Sequence, residues 1–414
     1  MHDLDPHVLA DSADIAATAE SARRAGRLGI DTEFMSEGRY RALLCLTQVA
    51  VEDPGAATGI RTILIDGLDA SVDVSPLAEL LADPAIQIVV HAGRQDVAIL
   101  RRAWLTEPCN IFDTQVAAGF VGESAQAGYG TLITSVLGLR VGKTASYTRW
   151  DSRPLTAEQL SYAAEDVTHL LALADELGRR LETTGRTQWA LEECRRLESA
   201  TDERDPETAW ERLPRASQLD PKARAVARRL AAWRERTAAA ADRPVGQILQ
   251  DPPLLEFAKR QPRSLDQLAA IRGVHPSFIK RRGREVLEQV SAGLEDPPIP
   301  RESRRSSSDA RDAPLIALAE ALLRARALDA GLAYELIASR SDLEQIVAAA
   351  RQDAPEPDVR TLAGWRRELV GDDLEALLDG AVAVAVGADR ALKLHAVELS
   401  VAERAPAAGG RPLG

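Results

Sequence analysis

Apolar positions in the first half of the chain fall into short runs broken by turn residues, and further on they recur at helical spacing. A helix ending near Gly26 leads into Arg27 to Phe34, a strand. Ala42 to Val51 and Arg61 to Asp66 follow as apolar, β-branched runs separated by the turn signal Asp53-Pro54-Gly55, the pattern of an antiparallel meander. Pro76 to Ala82 reads as a short helix and Ile86 to His91 as a strand bounded by Pro84 and Gly93. Strand and helix then alternate: Arg94 to Trp104 is helical, Ile111-Phe112-Asp113 is a strand, and Thr114 to Val121, Thr131 to Leu139 and Thr156 to Leu181 are helices. Three strands in succession followed by alternation predict a mixed sheet flanked by helices.

The remainder reads as helical. Thr183 to Pro214, with Trp189 and Trp210, is a connector. A separate unit runs from Leu219 to about Gly293, with breaks at Asp251-Pro252-Pro253 and Gln261-Pro262 and a helix N-cap at Ser264. Pro297 to Ala313, rich in Pro, Ser, Arg and Asp, is a linker. Beyond it, Leu315 to Leu328, Leu332 to Ala338, Ser341 to Arg351, Val359 to Val370 and Asp373 to Gly380 predict a third helical unit, closed by a hairpin within Ala381 to Val401. The expected domains are residues 1–214, 215–296 and 314–414, with 297–313 as the linker.

Length agrees with that division, since 414 residues exceed one core at about 150 residues per domain. Hydrophobic residues make up 45%, enough to fill several cores. No run reaches the roughly 18 uninterrupted apolar residues of a membrane span, and Met1 to Asp14 carries acids rather than a basic apolar leader, so no membrane partner and a cytoplasmic location are expected. Cys45, Cys109 and Cys194 are far apart, which indicates neither a disulfide framework nor a zinc site. The net charge of -12 argues against a nucleic-acid partner until its distribution is read. Between Arg215 and Ala292 there are 16 Lys and Arg against 8 Asp and Glu, a basic module within an acidic chain.

The first strand ends in Asp31-Thr32-Glu33. In a strand, side chains alternate, so Asp31 and Glu33 share a face. Two carboxylates that close repel each other and raise each other's pKa unless a cation lies between them. Partners appear downstream. Asp96 stands at the start of the helix after the strand Ile86 to His91, and Tyr162 and Asp166, four apart, share one helix face. Four acids and a phosphate suit hard divalent cations, and a pair of such ions activates water and relieves charge on both oxygens of a phosphodiester displacement.

The order Asp-x-Glu, Gln-Asp, Tyr-x-x-x-Asp resembles the DEDD family of 3′-to-5′ exonucleases in its tyrosine subtype; the histidine subtype would have His five before Asp166, where Ser161 stands. Similarity to the ribonuclease D branch extends to Leu44-Cys45-Leu46-Thr47-Gln48, Phe112-Asp113-Thr114-Gln115, and Trp150 through Arg153-Pro154-Leu155. The resemblance implies an α/β ribonuclease H-like exonuclease domain. It also implies two divalent cations, Mg2+ or Mn2+, held by Asp31, Glu33, Asp96 and Asp166, with Tyr162 orienting the attacking water. Phe34 would lie near the terminal nucleotide, Gln95 would contact the nucleic acid, and Lys143 and Arg153 would contact phosphates.

The basic segment resembles an HRDC domain through Ala231-Ala232-Trp233-Arg234-Glu235-Arg236, Asp242-Arg243-Pro244 and Leu268 to Val274. Arg272, Lys280, Arg281 and Arg282 would then supply salt-dependent, sequence-blind contacts to phosphates. By domain order the third unit resembles a divergent second HRDC-type domain. The resemblance as a whole implies a monomeric exoribonuclease that trims RNA, transfer-RNA precursors above all, and releases nucleoside 5′-monophosphates. Two other readings stay open: a DNA 3′-to-5′ exonuclease with the same site, and a non-catalytic nucleic-acid-binding protein.

Overall fold

The expected meander forms, and it places the strand carrying the paired acids at the centre of a five-stranded sheet. The computed structural model describes residues 9–56, 59–140, 149–300 and 311–397. Helix α1 (Ser12–Ala25) is closed at its start by a capping box between Asp11 and Asp14, and at its end by Gly26 at φ 72, which a residue without a Cβ adopts free of strain. Strands β1 (Arg27–Met35), β2 (Leu43–Glu52) and β3 (Ile60–Asp66) pair antiparallel in sequence order. After α2 (Ser75–Leu81), strand β4 (Gln87–Val90) returns parallel to β1, and after α3 (Arg94–Ala103), β5 (Ile111–Asp113) adds parallel to β4. The order is therefore β3-β2-β1-β4-β5, a mixed sheet.

Helices cover both faces. On one, α1, α2 and α3 bury Ile15, Leu77, Leu80, Val97 and Ile99 against Leu28, Ile30 and Ile88. On the other lie α4 (Thr114–Gly119), α5 (Tyr129–Leu137), α6 (Ala157–Thr168), α7 (Leu170–Thr184) and α8 (Thr187–Arg195). The single helix expected over Thr156 to Leu181 is thus two, broken at His169 (φ -105, ψ 4). The cause comes from a distant element: the Tyr129 hydroxyl accepts the His169 N–H at 3.2 Å and donates to the Glu165 carbonyl at 3.5 Å. These two groups would otherwise bond each other, and a side chain inserted into the ladder kinks a helix. Past the break α7 presses Leu170 against β1, where a Cβ on Gly29 would lie 3.3 Å from the leucine.

The second unit contains α9 (Pro221–Ala241), α10 (Val245–Ile248), α11 (Asp251–Arg260), α12 (Leu265–Ala269) and α13 (Pro276–Glu295) around its own core of Val226, Leu230, Leu254, Phe257 and Val286. Asp251-Pro252-Pro253, expected as a break, instead begins α11, because a helix's first turn needs no N–H donors and accepts proline. Its helix α9 reaches back to the loop after β1. The Tyr40 hydroxyl donates to Glu235 at 2.7 Å, and Arg39 and the Tyr40 N–H both bond Asp242.

The third unit follows with α14 (Asp312–Ala330), α15 (Tyr334–Ile337) and α16 (Arg340–Arg351). The helix expected over Val359 to Val370 is a string of short turns, a 3-10 turn at Arg360–Leu362 and a wide π turn at Arg367–Gly371, with Gly364 at φ 53 between them. The hairpin is present as β6 (Val382–Val386) and β7 (Leu392–Ala396). This unit shares one core with the α4–α8 face of the sheet: Trp365 stacks on Trp189 at 5.3 Å and meets Phe120 edge-on at 5.0 Å. Arg366, 1% exposed, pairs with Glu193 of α8. Of the expected linker, residues 301–310 lie outside the described residues. No described helix is long and apolar enough to cross a membrane.

Candidate active site

Asp31 and Glu33 stand on the face of β1 that α6 crosses, and α6 brings Tyr162 and Asp166. The register places Asp31 opposite Gln48 and Glu33 opposite Leu46; a bulge after Glu33 then sets Phe34 opposite Leu44. Gln48 is fully buried, and neither amide atom has a hydrogen-bond partner among the described residues. Asp96 enters from the start of α3 and accepts the Thr32 hydroxyl.

The turn that launches α3 is held from β5. The buried Asp113 carboxylate accepts N–H groups from Ala92 at 3.0 Å, Gly93 at 2.8 Å and Gln115 at 2.8 Å. Ala92 sits at φ 52, and a Cβ on Gly93 would come within 2.6 Å of Val90, so the turn is both bent and crowded. The Thr114 hydroxyl bonds the Val90 carbonyl and His91 Nδ1, and Gln115 holds the Ala127 carbonyl.

Electrostatics tie the four acids together. Burial, then the charges of Asp96, Asp166 and Glu33, push Asp31 well above the usual carboxylate range. Burial followed by Asp166 and Asp96 lifts Glu33 to about 8. Asp166 rises to about 6, chiefly through burial, with a Tyr162 hydrogen bond pulling the other way. Asp96 is raised by burial against the restraint of the Thr32 hydroxyl. Tyr162, tilted 6.1 Å from Trp150, is also raised, by burial and then by Asp166 and Glu33, so the phenol keeps its proton. Among the described residues no group of three or more His, Cys, Asp or Glu side chains is arranged to hold a metal ion. Magnesium does not require one, because it takes one or two carboxylates and completes its shell with water and substrate phosphate. The donor set of hard, mutually repelling oxygens fits a divalent cation.

The expected nucleic-acid contacts fare unevenly. Phe34 is half-buried against the α1–α3 side of the sheet, and Gln95 is exposed beside Asp96. Arg153 has all five donors engaged by the protein: Asp66 takes two, and the carbonyls of Cys45, Trp150 and Ser152 take the others. It locks the loop before α6 to β2 and β3, and a phosphate would have to displace one of these partners. Lys143 lies outside the described residues. On the second unit Arg272, Lys280 and Arg281 are exposed, while Arg282 is half-buried and pairs with Glu285 at 2.9 Å. Tyr129 and Asp113 were not among the residues expected at the site. Asp113 had a signal, the Phe112-Asp113-Thr114-Gln115 likeness, whereas nothing local marked Tyr129.

Residues 6–182 match the family described as 3′-5′ exonuclease, and residues 223–290 match the HRDC domain. Ribonuclease D of Gluconacetobacter diazotrophicus is 37% identical over 397 residues, which span 95% of this chain and 98% of that protein. The chain belongs to the ribonuclease D family. A second ribonuclease D, from Granulibacter bethesdensis, is 38% identical over 387 residues, 92% of this chain and 94% of its own length. The crystal structure of Escherichia coli RNase D, described as an exoribonuclease involved in structured RNA processing, superposes with a TM-score of 0.78 at 28% identity, covering 90% of this chain and 98% of that one. Membership of the ribonuclease D family makes the protein a 3′-5′ exoribonuclease, with the mixed-sheet exonuclease domain and the HRDC domain expected from its residues.

Proposed function

We propose that the enzyme hydrolyses RNA one nucleotide at a time from the 3′ end at the cluster Asp31, Glu33, Asp96 and Asp166, with Tyr162 beside the water, and releases nucleoside 5′-monophosphates. The observation that carries this reading is the convergence of four carboxylates, all raised by burial, with the charges of Asp96 and Asp166 raising Asp31 and Glu33 further, next to a protonated phenol. Such a set is unfavourable by itself and is relieved by cations. Asp31, Glu33, Asp96 and Asp166 would hold two divalent ions, which when bound supply an activated water and neutralise charge on the phosphate. Tyr162 accepts or donates one hydrogen bond to that water and sets its line of approach. The Thr32 hydroxyl holds the Asp96 carboxylate in place.

Arg272, Lys280 and Arg281 form an exposed basic edge on the HRDC domain that suits phosphates irrespective of sequence. Because that domain touches the loop following β1 through Tyr40, RNA held there is led toward the acids. We infer structured RNA with a 3′ trailer, such as a transfer-RNA precursor, as the substrate, in line with the description of the Escherichia coli relative.

The test is gel analysis of a transfer-RNA precursor with a 3′ trailer, beside DNA of the same sequence, in magnesium or manganese. Stepwise 3′ shortening of the RNA, loss of it in Asp31→Asn and Asp166→Asn, and retained RNA binding in both variants are expected. Wild-type turnover in either variant would overturn the assignment of the acids. DNA cleaved at least as fast as RNA would overturn the choice of substrate.

A further inference from the structure

The motif Phe112-Asp113-Thr114-Gln115 contributes nothing to the acid cluster directly, yet each of its polar side chains holds a segment that leads to one of the acids. Asp113 fixes the turn from which α3 and Asp96 begin. Thr114 bonds His91, and Gln115 pins the Ala127 carbonyl two residues before Tyr129. Tyr129 then stands edge-on to His91, ring centroids 5.6 Å apart, and places its hydroxyl between the Glu165 carbonyl and the His169 N–H. Asp166 lies inside the four-residue span that this hydroxyl bridges.

We propose that Tyr129 is a positioning residue for Asp166: its hydroxyl, inserted into the helix ladder between Glu165 and His169, sets the turn that carries the Asp166 carboxylate. The inference rests on the reading of Asp166 as a metal-holding acid. An α-helix continued without a break would bond His169 directly to Glu165. With the phenol between them, α6 stops at Thr168 and α7 leaves in a direction that seats Leu170 against Gly29. Asp166 is thereby fixed to the Asp96 side of the site through Tyr129, His91 and Thr114. Burial and the nearby charges of Asp166 and Asp31 push the Tyr129 phenol above its ordinary pKa, so it remains a donor at any working pH. The two bonds are modest ones by length, which makes the hydroxyl, rather than the ring, the group to remove.

Tyr129→Phe keeps the ring and its contact with His91. Divalent-ion affinity is measured on the full chain without RNA, by titration calorimetry with Mn2+, alongside RNA affinity in chelator, kcat, KM and Tm, with Asp166→Asn as the reference. The expected result is Mn2+ affinity and kcat each reduced about tenfold, the worth of one hydrogen bond, with RNA affinity and KM unchanged and Tm lower by no more than the few degrees that one hydrogen bond accounts for. Wild-type Mn2+ affinity in Tyr129→Phe, while Asp166→Asn loses it, would overturn the role of Tyr129 and leave the site intact. A parallel drop in Tm, RNA affinity and Mn2+ affinity would also overturn it, since that pattern marks general loosening. Unchanged Mn2+ affinity in Asp166→Asn would overturn the reading of the site and this inference with it.

Discussion

In a chelating buffer the protein should lose stability as the pH rises from about 5 to about 8, with Glu33 and Asp166 contributing to the loss alongside Asp31 and Asp96, which burial also raises. Glu33 moves from its ordinary 4.5 to about 8 on folding, through burial and the charges of Asp166 and Asp96, and Asp166 moves from 3.8 to about 6, mainly through burial. A carboxyl whose pKa is higher in the folded state holds its proton more tightly there. Its favourable contribution is fully present below the unfolded pKa and disappears as the pH passes upward through the folded one. At 1.36 kcal/mol per pH unit, about 3 kcal/mol would be lost at each group by pH 7. The Glu33 shift already contains part of the charge of Asp166 and both groups are partly open to solvent, so their combined loss is about 3 kcal/mol. For a domain of this size that lowers Tm by about 6 to 12 °C. Calorimetric scans across the pH range in chelator and in excess Mn2+ measure it. The slope should flatten in Mn2+, where the cation replaces the protons, and the share carried by Glu33 should vanish in Glu33→Gln. A chelated wild type whose Tm stays level or rises over this range, or a Glu33→Gln variant with the full slope, would refute the electrostatic account.

Three further outcomes follow from single contacts. Arg366→Met leaves Glu193 half-enclosed without its guanidinium, and unfolding in urea should show about 3 kcal/mol of destabilisation, whereas a loss under about 1 kcal/mol would mean the pair is solvated. Gln48→Met removes two buried amide atoms that have no partner among the described residues, so Tm should rise, by about 1 to 2 kcal/mol of added stability; a fall would show that the amide is paired in solution. Arg281→Glu combined with Arg282→Glu should weaken RNA binding and reduce its dependence on salt, with Arg281 contributing most because Arg282 is tied to Glu285; an unchanged salt slope would remove this edge from the RNA path.

What could be read from the chain and what could not divide along the range of the interactions concerned. The strands and most helices follow from apolar spacing, turn residues and caps within a few residues of each other, and the hairpin over Val382–Val386 and Leu392–Ala396 emerged from the same local signals. The acids could be picked out for another reason: phosphodiester chemistry restricts the residue types, and their chain order matches a known site, so Asp31, Glu33, Asp96, Tyr162 and Asp166 needed no knowledge of packing. The break at His169 left no local trace, because Leu170, Leu171 and Leu173 continue the helical apolar pattern straight through it. Its cause lies about forty residues earlier in Tyr129, and a hydrogen bond between distant residues has no periodicity. The intramolecular partners of Arg153 were hidden for a related reason. A lone arginine near a phosphate site suggests a phosphate contact only until Asp66, 87 residues away, is seen to bind it in two places. The same holds for the third unit, whose core merges with the exonuclease face through Trp189 and Trp365 although each tryptophan, read in its own segment, marks only a helical surface. Sequence reasoning therefore reaches the groups proposed here to do the chemistry and misses the groups that hold them, since the former are constrained by what they are and the latter by what they meet. For this enzyme the second class includes Asp113 and Tyr129, and substitutions there should alter metal affinity and turnover without touching any residue of the acid cluster.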